Sequence, residues 1–156
     1  MTRHLAVLAI ALAALPLSAG AQDYMVPVSD PTTLKECTDC HMAFPAGFLP
    51  ARSWQAVMGG LKDHFGENAS ISEASQTAIT AYLVANAADS GVVSSRTASR
   101  ILRGITAEMT PLRISDLPWW QSEHDGEVSK AKWERAKSPA NCLACHRDAE
   151  RGYFED

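Results

Sequence analysis

The pentapeptide Cys-x-x-Cys-His occurs twice in this chain, as Cys37-Thr38-Asp39-Cys40-His41 and as Cys142-Leu143-Ala144-Cys145-His146, and the two copies use all four cysteines. Two thiols three positions apart lie on one side of a helical turn. There they can bond to the two vinyl groups of one porphyrin, while the next histidine projects under the ring and binds the iron. The pattern is the attachment signature of c-type haem. A zinc site of four thiolates, a redox dithiol or a disulfide framework would use the cysteines but leave the histidine after both pairs without a role. The chain therefore reads as a carrier of two covalently bound haem c groups. The thioethers are at Cys37, Cys40, Cys142 and Cys145, and the proximal iron ligands are His41 and His146. Thioether formation consumes every thiol, so no disulfide is expected.

The N-terminus agrees with that chemistry. Arg3 and His4 form a short basic start, residues 5–15 are apolar, and Ala19-Gly20-Ala21 offers a small-x-small cleavage site. This order is that of a secretory signal peptide over residues 1–21, too short to span a bilayer. Covalent haem is joined after export, so the expected location is a bacterial periplasm, and no later segment is apolar enough to span a membrane. The whole chain has 14 basic and 18 acidic residues and a net charge of −4, and loss of Arg3 with the leader makes it one unit more negative. No basic stripe is present for nucleic acid. An acidic carrier favours partners with a basic docking face, with salt-sensitive association.

Residues 22–90 hold the first motif and residues 91–156 the second, which divides the mature chain into two halves. Residues 87–99 are small and polar and read as a crossing, linker-like over 91–99, where a short helix over residues 95–102 is admissible. Regular structure reads as helical throughout. Pro31 leads into a helix carrying residues 37–41, with Pro45 as its stop. Trp54, Val57, Met58, Leu61 and Phe65 follow a 3.6-residue period, with Gly66 as a cap. Ser70 with Glu73 resembles a capping box before a helix through Ala78, Tyr82 and Ala85. Ser138-Pro139 starts a helix over residues 142–146, with Gly152 as its stop. The expected fold is all-α: two small haem-binding helical domains with extensive loops. Each half is too small for a comfortable apolar core, so the haems must supply much of it.

Each iron needs a sixth ligand or an open position. Of the five histidines, His4 lies in the leader and His41 and His146 in the motifs, which leaves His64 and His124, one in each half. Local closure pairs His41 with His64 and His124 with His146. Crossed pairing enlarges each loop at a cost of only about 1 kcal/mol per loop, so loop entropy favours local pairing without deciding it. His64 lies beside the Trp54–Phe65 stripe, and His124 follows Trp119-Trp120, which can wall a haem pocket. Asp63 and Glu123 precede the two histidines as candidate imidazole partners, although such acids are more often solvated. Methionine is the competing ligand, with Met58 and Met109 ahead of Met25 and Met42; Met58 reads as core filler. Two histidines per iron would give low-potential, six-coordinate, low-spin haems, since methionine ligation raises the potential.

The chain resembles the bacterial periplasmic dihaem cytochromes c of the bis-histidine type over most of residues 31–156. The resemblance is carried by Cys37 through Pro45, Leu49-Pro50-Ala51-Arg52-Ser53-Trp54 and His64-Phe65-Gly66-Glu67-Asn68-Ala69. Further on it is carried by Leu112-Arg113-Ile114, by Trp119-Trp120 with Glu123-His124, by Asn141 through His146, and by Ala149 through Glu155. It implies one bis-histidine haem per half. It also implies electron transfer to an oxygen-binding monohaem c-type protein, with a membrane b-type cytochrome as donor. No acid, base or nucleophile constellation suggests substrate chemistry, so the expectation is an electron carrier and not an enzyme. The alternatives are a haem enzyme, or a small-ligand or redox sensor, with one open or displaceable axial position.

Overall fold

The structure, a computed structural model, describes residues 24–155, so the leader expected over residues 1–21 lies outside the described residues. The described chain is helical, with six α-helices joined by 3₁₀ turns and loops. The first, α1 (Pro31–Cys37), starts at Asp30. Its carboxylate accepts from the Thr33 amide at 2.7 Å and from the Thr33 hydroxyl at 2.8 Å. Those bonds, the amide first, hold the Asp30 carboxyl below the ordinary carboxylate value. Pro31 occupies the first helical position, where its missing N–H costs nothing.

Neither haem motif is carried through an α-helix as expected. α1 stops at Cys37, and the Thr38 hydroxyl donates back to the Leu34 carbonyl at 2.7 Å. The second motif forms only a 3₁₀ turn, Cys142–Ala144, with the His146 amide donating to the Cys142 carbonyl at 2.8 Å. Ser138 binds the Ala140 amide and so closes a turn where the sequence suggested a helix start.

The helix expected to run through Phe65 is shorter: α2 (Ala51–Gly59) ends at the Gly59-Gly60 pair, glycine being the worst helix former after proline. A 3₁₀ turn, Leu61–Asp63, follows, and His64 lies beyond it. α3 (Glu73–Ala85) is capped by Ser72, whose side chain accepts from the Ser75 amide at 3.1 Å. The expected cap, Ser70, instead donates its hydroxyl to Asn68 Oδ1 at 2.6 Å.

α2 packs on α3, and α1 also packs on α3. The core holds Phe48, Leu49, Trp54, Met58, Ile79 and Leu83 together with Ile101 and Leu117, so residues on both sides of position 91 contribute. Trp54 is seated by its indole N–H donating to the Ala46 carbonyl at 2.7 Å. The crossing is more constrained than its composition suggests. Ala87 and Ala88 are buried, and the Ala88 amide donates to the Leu49 carbonyl at 2.9 Å. Asp89 accepts from the Ala51 amide at 2.8 Å. The small residues here answer a packing requirement, since Ala87 and Ala88 belong to the buried core.

The chain then enters α4 (Ser95–Ile101), capped by Ser94, followed by α5 (Pro118–His124) and α6 (Lys130–Ala136). Arg52 links the two sides: its Nε donates to the Met109 carbonyl at 2.7 Å and its Nη2 to the Thr106 carbonyl at 2.8 Å. The described ends also meet. The Met25 amide donates to the Gly152 carbonyl at 2.9 Å, and Tyr24 packs on Tyr153. Among the described residues no helix is long and apolar enough to cross a membrane.

Candidate cofactor sites

The first site is built where α1 ends. Cys37 is half-buried and Cys40 exposed. Burial pushes the Cys37 thiol above its ordinary pKa, with the Glu36 charge adding to the effect. His41 stacks on Phe44 with ring centres 4.7 Å apart and planes 20° apart. Its Nδ1 lies 2.7 Å from the Met42 carbonyl. A carbonyl only accepts, so Nδ1 carries the proton and Nε2 keeps its lone pair for a metal.

His64 reaches the same place from a two-residue turn. Its amide donates to the Glu67 carbonyl at 2.7 Å and its carbonyl accepts from the Glu67 amide at 3.2 Å. Phe65 and Gly66 both have positive φ, as such a turn requires. Asp63 holds the turn by accepting from the Gly66 amide at 3.0 Å, which occupies the carboxylate that the sequence offered to the imidazole. The His41 and His64 rings are 6.2 Å apart, with planes at 24°. Burial, then the neighbouring His41, lowers the His64 pKa and favours the neutral, metal-binding form.

The second site gathers residues from α5, α6 and the last motif. Cys142 is partly buried, which raises its thiol pKa, and Cys145 is exposed. His124 closes α5. Its Nδ1 lies 2.8 Å from the Trp120 carbonyl, and its ring stacks on Trp120 at 4.0 Å and 17°. The acceptor is again a backbone carbonyl and not the preceding acid, Glu123. The His124 and His146 rings are 6.1 Å apart, with planes at 84°.

A cavity of about 490 Å³ opens between these groups. Trp119, Trp120, Trp133, Cys142, His146 and Phe154 are among its walls. That volume lies within the usual range of cofactor sites, roughly 300–1,000 Å³. The Trp119 indole N–H at this wall is buried and has no hydrogen-bond partner among the described residues. Trp133 was missed by the sequence reading. Its position in the Ser129-capped α6, just ahead of the motif, was the available signal; its ring lies 6.1 Å from that of His124.

These residues fit the group that the motifs imply. Two imidazoles bonded at about 2 Å to opposite faces of one metal have ring centres about 6 Å apart. Both pairs meet that spacing, and the pairs are the local ones. Met42 and Met58 are each 5% exposed in the interior, and the exposed Met109 has its carbonyl bound by Arg52. Met25, also buried, borders the second cavity. Among the described residues no group of three or more His, Cys, Asp or Glu gathers as a metal-ion cluster.

The family model for dihaem cytochrome c matches residues 33–154. The diheme cytochrome c from Rhodobacter sphaeroides is 55% identical in one solved structure, with a TM-score of 0.77, covering 83% of this chain and 99% of that one. A second structure, of protein purified from the same organism, is 51% identical with a TM-score of 0.70, covering 83% and 100%. A diheme cytochrome type c from Shewanella baltica is 30% identical with a TM-score of 0.63, covering 80% and 86%. No curated protein sequence matches. With its paired Cys-x-x-Cys-His motifs, its helical fold and these relatives, the chain belongs to the dihaem cytochrome c family, binds two c-type haems covalently, and is a haem-based electron carrier.

Proposed function

We propose that both irons are closed by imidazole on each face, His41 with His64 and His124 with His146, and that the protein is a low-potential electron carrier of the periplasm. The observation that carries this reading is the spacing of the two histidine pairs, 6.2 and 6.1 Å. The carbonyl bonds at Nδ1 of His41 and His124 support it, because they leave Nε2 free to bind iron. Haem supplies one-electron redox chemistry, and nitrogen ligands on both sides keep its potential below that of a methionine-ligated site. The protein fixes the ligands, walls the rings and blocks access to the metal, an arrangement suited to electron transfer and poor for binding a substrate at iron. On this reading each half, residues 22–90 and 91–156, holds one haem.

The leader pattern in residues 1–21 supports export. The acidic net charge supports redox partners with a basic docking face. The family resemblance supports an oxygen-binding monohaem c-type protein as acceptor and a membrane b-type cytochrome as donor. EPR with a redox titration of the purified holoprotein tests the ligation. Two low-spin ferric signals are expected, one from near-parallel and one from near-perpendicular imidazole planes, and the ferrous spectrum should not respond to carbon monoxide. Replacing His64 or His124 by alanine should turn one haem high-spin. A sulfur-ligated or five-coordinate centre in the resting protein would remove the reading.

A further inference from the structure

The turn that carries His64 contains a residue that neither backbone preference nor burial explains. Turns with positive φ at both central positions favour glycine, asparagine and aspartate. Gly66 satisfies this at φ 100°, whereas Phe65 stands at φ 58°, a strained conformation for a bulky aromatic residue. Phe65 is 44% exposed, so core packing does not offset that strain.

Its contacts do offer an explanation. One neighbour is the His64 ring, 4.8 Å away between centroids and tilted by 57°. The other is Arg113, whose guanidinium carbon sits 4.1 Å from the Phe65 centroid, within cation–π range. Arg113 belongs to the second half of the chain, just before the Ile114–Asp116 turn. Across the site, His41 has its own aromatic neighbour in Phe44.

We propose that Phe65 is a positioning residue that sets the plane of the His64 imidazole, and that Arg113 clamps Phe65 in that role. The inference rests on His64 being an iron ligand. The backbone bonds to Glu67 fix the main chain of His64 but leave its ring free to turn about the metal–nitrogen axis. The Phe65 ring limits that rotation. With Phe44 beside His41, it keeps the two imidazole planes 24° apart. The strained backbone is retained because glycine or asparagine, although easier to accommodate there, would bring no ring to the histidine. The clamp also ties the first haem site to a residue from the far half, so a disturbance at Arg113 reaches His64 through Phe65.

The test is EPR of the oxidised holoprotein carrying Phe65→Gly, Phe65→Asn, Arg113→Gln or Arg113→Lys. Both Phe65 variants relieve the backbone strain, so folding is not at risk. They should keep both haems low-spin while shifting and broadening the signal of the near-parallel haem alone. Arg113→Gln should produce a smaller shift in the same signal. Arg113→Lys, which keeps a cation over the ring, should restore most of the native line. Native spectra from both Phe65 variants overturn the proposal, and a native spectrum from Arg113→Gln alone removes Arg113 from it. His64→Ala separates this inference from the ligation it rests on. A high-spin His64→Ala protein with native Phe65 variants loses only the positioning role. A low-spin His64→Ala protein removes His64 as a ligand.

Discussion

At the first site the paired imidazole planes are 24° apart; at the second they are 84° apart, although the same five-residue motif supplies one histidine of each pair. The difference comes from the element that delivers the other histidine. His64 sits in a tight turn beside Phe65, opposite a His41 already stacked on Phe44. His124 ends a helix and lies flat on Trp120, the residue four positions before it, which fixes its plane from its own side of the site. The motif sets the chemistry of attachment, and the element that carries the second histidine of each pair sets the ring orientation. The surroundings differ as well. The first site borders a packed helix pair, with Leu49, Trp54, Met58, Ile79 and Leu83 all buried. Beyond residue 102, the buried hydrophobic residues are Leu117, Ala136 and Ala149, and a cavity of about 490 Å³ takes the place of a core.

This contrast is most directly tested by removing one haem at a time. Replacing Cys142 and Cys145 together by serine should strip hydrogen-exchange protection from α5, α6 and the C-terminal turns. The α2–α3 pair should stay protected, since its apolar core does not depend on the second haem. Replacing Cys37 and Cys40 together should cost the second half less than this. Equal, global loss of protection in both variants would show that the two regions fold as one cooperative unit.

The next largest effects separate stability from spectrum. Leu49→Ala should destabilise the protein by about 3 kcal/mol through cavity formation, read by chemical denaturation, and leave both EPR signals in place. Trp133→Ala should do the reverse in emphasis, altering the signal of the near-perpendicular haem because a wall beside His124 is lost. A spectral change with Leu49→Ala would mean that the first core tunes the iron directly.

Gly152 bears on the junction between the described ends. It has φ 88°, and an added Cβ would run into the Met25 backbone carbonyl. Gly152→Ala should cost about 2 kcal/mol in thermal or chemical unfolding, from left-handed strain together with that clash. The loss should fall first on the second site, because the Ala149–Arg151 turn and Phe154, the neighbour of His146, flank this residue.

What the sequence could and could not disclose follows the range of each interaction. The thiol and histidine spacings are covalent requirements a few residues long, so they could be read directly. Counting histidines against irons singled out His64 and His124, because few alternatives existed. The apolar period from Trp54 to Phe65 overstated α2, since periodicity does not register that two glycines interrupt the backbone. Asp63 and Glu123 were candidate partners for the imidazoles of His64 and His124, yet Asp63 is taken by the Gly66 amide and the partner of His124 is the Trp120 carbonyl, which no side-chain pattern encodes. Trp133 and the plane angles depend on how α5, α6 and the final motif meet, a tertiary matter without a local signature. The alanines of the crossing resembled a linker because small residues serve flexible segments and close packing alike.

The smallest expected effect concerns the start of α3 and tests the same lesson on a local scale. The spacing of Ser70 and Glu73 suggested a capping box, while the structure places Ser72 at the cap with its oxygen on the Ser75 amide. A side-chain oxygen that satisfies a free helix amide contributes about 1 kcal/mol, so Ser72→Ala should lower stability by about that amount. Ser70 serves only a loop contact with Asn68, and Ser70→Ala should change stability by no more than about 0.5 kcal/mol. The two variants, compared by denaturant midpoint at unchanged slope, locate the cap. If Ser70→Ala proved the costlier, α3 would begin two residues earlier and the Asn68 contact would belong to the helix start. Because α3 is the partner of both α1 and α2, even this small loss should appear in the first half of the molecule and leave the near-perpendicular haem unchanged.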